Sequence, residues 1–184
     1  QISGGAHYGM STGDLNNDGK PDVVIGDDGA DRYLLNIGNG TDGLANFESK
    51  TFSFLAGGDD GFGNNSRIVD INNDGWNDVL ICDVDVDIGG CGRRLHIYRN
   101  LGNAPSVTLQ EQGTLGLPTS AMTGTHDVAV FDLNGDGWKD MVLGRCSGLS
   151  IWMNVPPTGM VFSYPGGLPG HIQPDTPHEV IVSL

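Results

Sequence analysis

A nine-residue pattern occurs three times: Asp14-Leu-Asn16-Asn-Asp18-Gly19-Lys20-Pro-Asp22, Asp70-Ile-Asn72-Asn-Asp74-Gly75-Trp76-Asn-Asp78 and Asp132-Leu-Asn134-Gly-Asp136-Gly137-Trp138-Lys-Asp140. Each copy has an oxygen-bearing side chain at positions 1, 3, 5 and 9 and a Gly at position 6. Such spacing lets a short loop converge alternate oxygens on a hard cation, while the Gly permits the sharp turn that brings the chain back. Position 7 (Lys20, Trp76, Trp138) varies freely if only its backbone carbonyl is used. Oxygen-only ligation favours Ca2+ over zinc or copper. An ion-free Asp/Asn/Gly turn is the competing reading of one copy. Three copies with every ligand position kept favour three calcium sites.

The motif starts lie 56 and then 62 residues apart. A period of that size signals a propeller or a solenoid. Within each period short apolar runs recur around the loop. Ser66–Val69 and Val128–Phe131 lead in, and Val23–Ile25, Val79–Ile81 and Met141–Leu143 lead out. Third strands follow at Tyr33–Asn36, Leu95–Tyr98 and Leu149–Met153, then fourth strands at Phe47–Phe54, Val107–Leu115 and Val161–Tyr164. Four antiparallel strands per repeat describe a propeller blade. The expected fold is therefore all-β, with blades at 1–57, 58–117 and 118–175. Residues 176–184 read as the first strand of a further blade, because His178-Glu-Val-Ile-Val resembles His126-Asp-Val-Ala-Val. Propellers close with about 4–8 blades, so the chain reads as a section of a larger propeller of seven or eight blades. Self-association through open blade edges is the rival route to closure.

Composition agrees with this plan. Gly makes up 30 of 184 residues, well above the average of about 7 %, and no stretch carries helical periodicity. The net charge is −14, and nine of the acids are motif aspartates. Three bound Ca2+ would bring it to about −8. The absence of a basic stripe argues against nucleic acid, and no apolar run is long enough to insert into a membrane. The chain opens on Gln1 without a leader and reads as a mature or excised piece, with secretion or cell-surface display expected. Of the three cysteines, Cys82 and Cys91 flank a short loop and are the favoured pair.

The loops, the period and the pair Phe62-Gly63 ahead of Asp70 resemble the FG-GAP and VCBS repeats, seen in integrin α-chain propellers and in secreted microbial proteins. The other repeats lack that pair, and the Gly-Ala-Pro half is missing throughout. The resemblance implies an adhesion or recognition module whose protein or glycan ligand binds the face opposite the calcium loops. Three segments would lie there: Asp27–Arg32, Asp83–Arg94 and Arg145-Cys146. Asp83, Asp85 and Asp87 could gather a fourth cation or form an acidic hairpin. His7, His126 and His178 share one repeat position and are expected to bond to a neighbouring blade. Trp76 and Trp138 are expected to cover a loop or an adjoining blade, with a sugar platform as the alternative, and Trp152 to be core. No nucleophile–base pattern is present, so no catalytic residue is expected. A polysaccharide lyase, with Arg93, Arg94 or Tyr33 as base, and a filament subunit are the alternative functions.

Overall fold

The structure is a computed structural model that describes residues 7–27, 29–53, 63–83, 91, 94–112, 119–155, 161–165 and 177–181. Three antiparallel sheets follow one another along the chain. The first is β1 (His7–Gly13), β2 (Asp22–Asp27), β3 (Arg32–Asn39) and β4 (Ala45–Thr51). The second is β5 (Gly63–Val69), β6 (Asp78–Asp83), β7 (Leu95–Asn100) and β8 (Leu109–Glu111). A single helical turn, α1 (Thr119–Met122), precedes the third, made of β9 (Thr125–Phe131), β10 (Asp140–Arg145), β11 (Gly148–Val155), β12 (Val161–Pro165) and β13 (Pro177–Ile181). Sheet order follows chain order, so each sheet is an up-and-down meander of the kind that forms a propeller blade.

Two expectations shift in detail. The fourth strand of the second blade is confined to Leu109–Glu111 among the described residues. The segment read as opening a further blade is hydrogen-bonded along β12, with Val161 opposite Ile181 and Tyr164 opposite His178, and forms a fifth strand of the third sheet. Residues 182–184 lie outside the described residues.

The core lies between blades. Side chains alternate across a strand with a period of two, and β6 shows what that does in a blade packed on both faces. Val79 and Ile81 join Leu15, Val24, Tyr33, Leu35 and Phe52 in a cluster between the first and second blades. Leu80 and Cys82 turn the other way, joining Met122, Val128, Met141, Leu143 and Trp152 between the second and third. All four are fully buried. Each buried Val, Leu or Ile contributes about 1.5–3 kcal/mol, so these two layers are the main bond between successive blades. Trp152 is core, as expected.

Between blades, the strands that enter the loops meet, β1 against β5 and β5 against β9, and β2 also meets β5. Close approach there needs small residues. A Cβ on Gly63 would lie 2.1 Å from Asp31 Oδ1, and one on Gly26 would lie 2.3 Å from Gly63 O. Gly63 is the second member of the Phe62-Gly63 pair, so the backbone of β2 meets that of β5 where the pair stands.

The cysteine pairing differs from expectation. Cys91 bonds to Cys146, and Cys82 is free and buried. The strand register explains the difference. Cys82 occupies an inward position of β6 within the apolar layer, and burial there pushes its thiol well up, keeping it neutral. Cys91 lies beyond the strand end, beside the β10–β11 turn of the next blade. A Cβ on Gly124 would lie 3.1 Å from Cys91 Cβ and 3.2 Å from Cys146 Sγ.

Candidate metal centre

The three loops join β1 to β2, β5 to β6 and β9 to β10, at one end of the blades. Their backbones share one conformation. Position 4 is left-handed in all three, at Asn17 (φ 56°), Asn73 (57°) and Gly135 (79°), and so is position 6, at Gly19, Gly75 and Gly137 (81°, 87° and 89°). Asn and Gly are the residues that enter this region at least cost.

The side chains repeat as closely as the backbone. The position-1 carboxylate accepts the amide of position 6: Gly19 N to Asp14 at 2.7 Å, Gly75 N to Asp70 at 2.9 Å and Gly137 N to Asp132 at 2.8 Å. The position-3 Asn donates to the position-5 carboxylate, at 3.1, 2.9 and 2.8 Å in loops one to three. Its oxygen accepts the position-5 amide, at 3.2, 3.0 and 3.0 Å. Position 5 in turn accepts the amide of position 7, from Lys20, Trp76 and Trp138 at 2.9, 3.0 and 2.9 Å.

Position 9 is built differently. Asp22, Asp78 and Asp140 are buried, and each accepts two backbone amides. One comes from position 2: Leu15, Ile71 and Leu133 at 2.8, 3.1 and 2.7 Å. The other comes from the third strand: Asn36, Asn100 and Asn154, all at 2.8 Å. This Asp therefore ties its loop to the sheet.

These residues fit a hard divalent cation. A carboxylate oxygen has two lone pairs, so the bonds that shape each loop still leave acceptor capacity for an ion. The electrostatics also ask for one. Burial, reinforced by the nearby charges of Asp74 and Asp70, pushes Asp78 up to about 7, and burial likewise raises Asp22. A cation held in the loop would offset that penalty. Basic side chains offset part of it in two loops, through Lys20 Nζ at 2.8 Å from Asp18 and an Arg99 nitrogen at 3.4 Å from Asp74. The side chains able to hold ions are Asp14, Asn16, Asp18 and Asp22; Asp70, Asn72, Asp74 and Asp78; and Asp132, Asn134, Asp136 and Asp140. The backbone carbonyls of Lys20, Trp76 and Trp138 complete the three sets.

Loop-to-loop bonds were hidden in the sequence. Asn17 Nδ2 donates to Gly75 O at 3.0 Å, and Asn73 Nδ2 donates to Gly137 O at 3.1 Å. Asn77 Nδ2 reaches Asp14 O at 2.7 Å. The third-strand asparagines span blades too, with Asn100 Nδ2 on Leu15 O at 2.7 Å and Asn154 Nδ2 on Ile71 O at 2.8 Å. Asn36, Asn100 and Asn154 stand at one repeat position, and that recurrence is the signal that could have found them. Trp76 packs over its own blade's β7–β8 turn, where a Cβ on Gly102 would lie 2.6 Å from the indole nitrogen.

Residues 14–81 and 70–143, overlapping stretches that together take in all three loops, match the FG-GAP-like repeat. The chain belongs to this family. No curated protein matches it.

At the far end of these FG-GAP-like blades, each blade is built differently. In the first, Arg32 pairs with buried Asp27 at 2.5 Å, and His7 Nδ1 lies 3.3 Å from the same carboxylate. Burial opposes the Asp27 charge, but the Arg32 guanidinium wins and holds the carboxyl below its usual range. In the second, buried His96 stands between Asp83 at 3.3 Å and Glu111 at 2.8 Å, and Arg94 also pairs with Glu111. In the third, Arg145 donates to Thr123 O at 2.9 Å and to Ser120 O, and the Cys91–Cys146 disulfide crosses from the second blade. The histidine rings bond within their own blades, contrary to expectation, with His126 Nε2 3.0 Å from Cys146 Sγ. Antiparallel register sets this, since His7 is paired with Asp27 across β1 and β2. Across blades, it is the His126 carbonyl that accepts, from Asn65 Nδ2 at 3.1 Å.

Of the lyase-base candidates, Tyr33 is buried, donates its hydroxyl to Val107 O at 2.9 Å and is pushed up to about 12 by burial. Arg94 is paired as described. Arg93, Asp85, Asp87 and Phe62 lie outside the described residues, as does the side chain of His178.

Proposed function

We propose that the chain is a calcium-stabilised extracellular recognition or adhesion module. Its protein or glycan ligand binds at the end of the blades away from the calcium loops. One contrast carries this reading. The loop end repeats nearly atom for atom in three blades, as a structural device does, while the far end is built on different groups in each blade, with the part-exposed Arg32 and Arg94 side chains over their buried acids in two of them, as suits an end specialised for a partner. A disulfide at the far end suits an oxidising, extracellular setting.

Calcium binding to the folded chain stabilises it by mass action. A site held at about a hundred times its Kd contributes about 2.7 kcal/mol, and one kcal/mol moves Tm by about 2–4 °C at this size. Excess EDTA should therefore lower Tm by roughly 5–10 °C for each site emptied. An unchanged melting curve in EDTA would refute the calcium reading.

A further inference from the structure

Cys91, His126 and Cys146 come from three segments that meet between the second and third blades: the stretch between β6 and β7, the start of β9 and the β10–β11 turn. The meeting is built into the fold. An antiparallel bridge joins Arg94 to Thr123, and Cys146 N donates to Gly124 O at 2.8 Å, so the chain before β9 holds both flanks. Gly124 has a left-handed φ of 69°, and a Cβ there would press on Cys91 Cβ at 3.1 Å and Cys146 Sγ at 3.2 Å. All three residues belong to the contact between two consecutive blades of this chain.

The His126 ring is a feature that a disulfide alone does not use. Its Nε2 lies 3.0 Å from Cys146 Sγ. The inter-blade bond from Asn65 goes to the His126 carbonyl and leaves the ring to the sulfur. One ligand atom from each residue lies within 4.8 Å of the other two. Around a tetrahedral Zn2+, with bonds of about 2.3 Å to sulfur and about 2.0–2.1 Å to nitrogen, ligand atoms stand about 3.5–3.8 Å apart. Once the S–S bond is open, side-chain adjustment alone lets the trio surround such an ion. Two thiolates and an imidazole also select zinc over calcium, the reverse of the oxygen-only loops at the other end. Cys82 is no rival ligand, since it is buried in the apolar layer.

We propose that Cys91, Cys146 and His126 form a Zn2+ site when the disulfide is reduced, so that the two blades are joined either by a covalent bond or by a metal ion. The bond opens by exchange with a small thiol. Two thiol molecules are oxidised to one disulfide, and Cys91 and Cys146 each gain one electron and one proton. Zn2+ then displaces those two protons, because the thiolate is the ligand. Neutral His126 binds through Nε2, and water takes the fourth position. In the oxidising setting proposed above the covalent link is the one in force. The site itself rests on the blade geometry and is independent of the recognition reading.

Cobalt(II) tests this on the intact chain, kept in excess Ca2+ and reduced with a phosphine so that no free thiol competes for metal. The readout is sulfur-to-cobalt charge transfer in the near ultraviolet, which oxygen ligands do not give. One equivalent of Co2+ should saturate the band in the reduced chain, Zn2+ should bleach it, and the oxidised chain should show none. Cys146→Ser should abolish the band, and His126→Ala should weaken Co2+ binding roughly tenfold or more. Both variants are compared with the reduced wild type, which lacks the same S–S bond, and circular dichroism checks their fold. Zn2+ at about a hundred times its Kd should raise the Tm of the reduced wild type by roughly 5–10 °C and leave that of the oxidised chain unchanged. A reduced chain that gives no band, a band that survives Cys146→Ser, an unweakened His126→Ala, or a reduced chain that unfolds despite Zn2+ would each overturn the proposal.

Discussion

The two ends of the blades are held by opposite strategies. At the loop end acids outnumber bases: three aspartates per loop are shaped by backbone amides, and only Asp18 and Asp74 have a described basic partner, Lys20 and Arg99. At the far end acid and base are paired inside the protein, as in Asp27 with Arg32 and Glu111 with Arg94 and His96. Under the calcium reading proposed above, the first strategy makes stability depend on the ion supply outside. The second makes it depend on partners encoded in the chain, leaving the far end free to differ from blade to blade.

The strongest break of this contrast is expected at the far end. Arg32→Ala leaves the Asp27 carboxylate buried with the His7 ring and the Gly29 amide beside it but no guanidinium. Breaking such a pair costs about 3 kcal/mol, and calorimetry should show the same loss with calcium and with EDTA. Asn100→Ala acts at the loop end. It removes donors from Leu15 O and Asn77 O, at about 2 kcal/mol. It should also weaken calcium binding, because it loosens two loops at once. Asn36→Ala, whose described donation is a single exposed bond of 3.3 Å, should cost less than about 0.5 kcal/mol in the single chain.

Acidity separates the ends more gently. Asp78 titrates higher folded than unfolded, so its contribution is present below an unfolded value of 3.8 and is lost as pH rises through about 7. Asp27 is depressed, so its contribution is present above 3.8 and is lost as pH falls through its folded value. The chelated protein should therefore melt highest near about pH 4–5 and lower at about pH 8. Calcium should remove the alkaline decline, since the bound cation favours charged Asp78. A chelated Tm that rises steadily to pH 8 would contradict this picture of the loop end.

Much of this was legible in the sequence, for physical reasons. The loops use short side chains at fixed offsets, so spacing alone revealed the blade period and the candidate ligands from Asp14 to Asp140. The apolar alternation of Val79–Cys82 located a strand buried on both faces. Contacts between repeats were far less visible. Cys146 lies 55 residues from its partner Cys91, and only the packing of one blade on the next brings them together. Proximity in sequence pointed to Cys82, which strand alternation turns into the core. The Asn36, Asn100 and Asn154 series was less legible because an Asn before a turn reads as turn chemistry, although the amides of Asn100 and Asn154 each span two blades.

The central claim is that three equivalent oxygen loops hold calcium and make it part of the fold. Isothermal titration of the chelator-stripped chain with CaCl2 measures this directly. The account predicts three ions per chain, falling to two in Asp74→Ala, with the Arg32→Ala variant still binding three. No heat of binding, or a stoichiometry unchanged by Asp74→Ala, would contradict it.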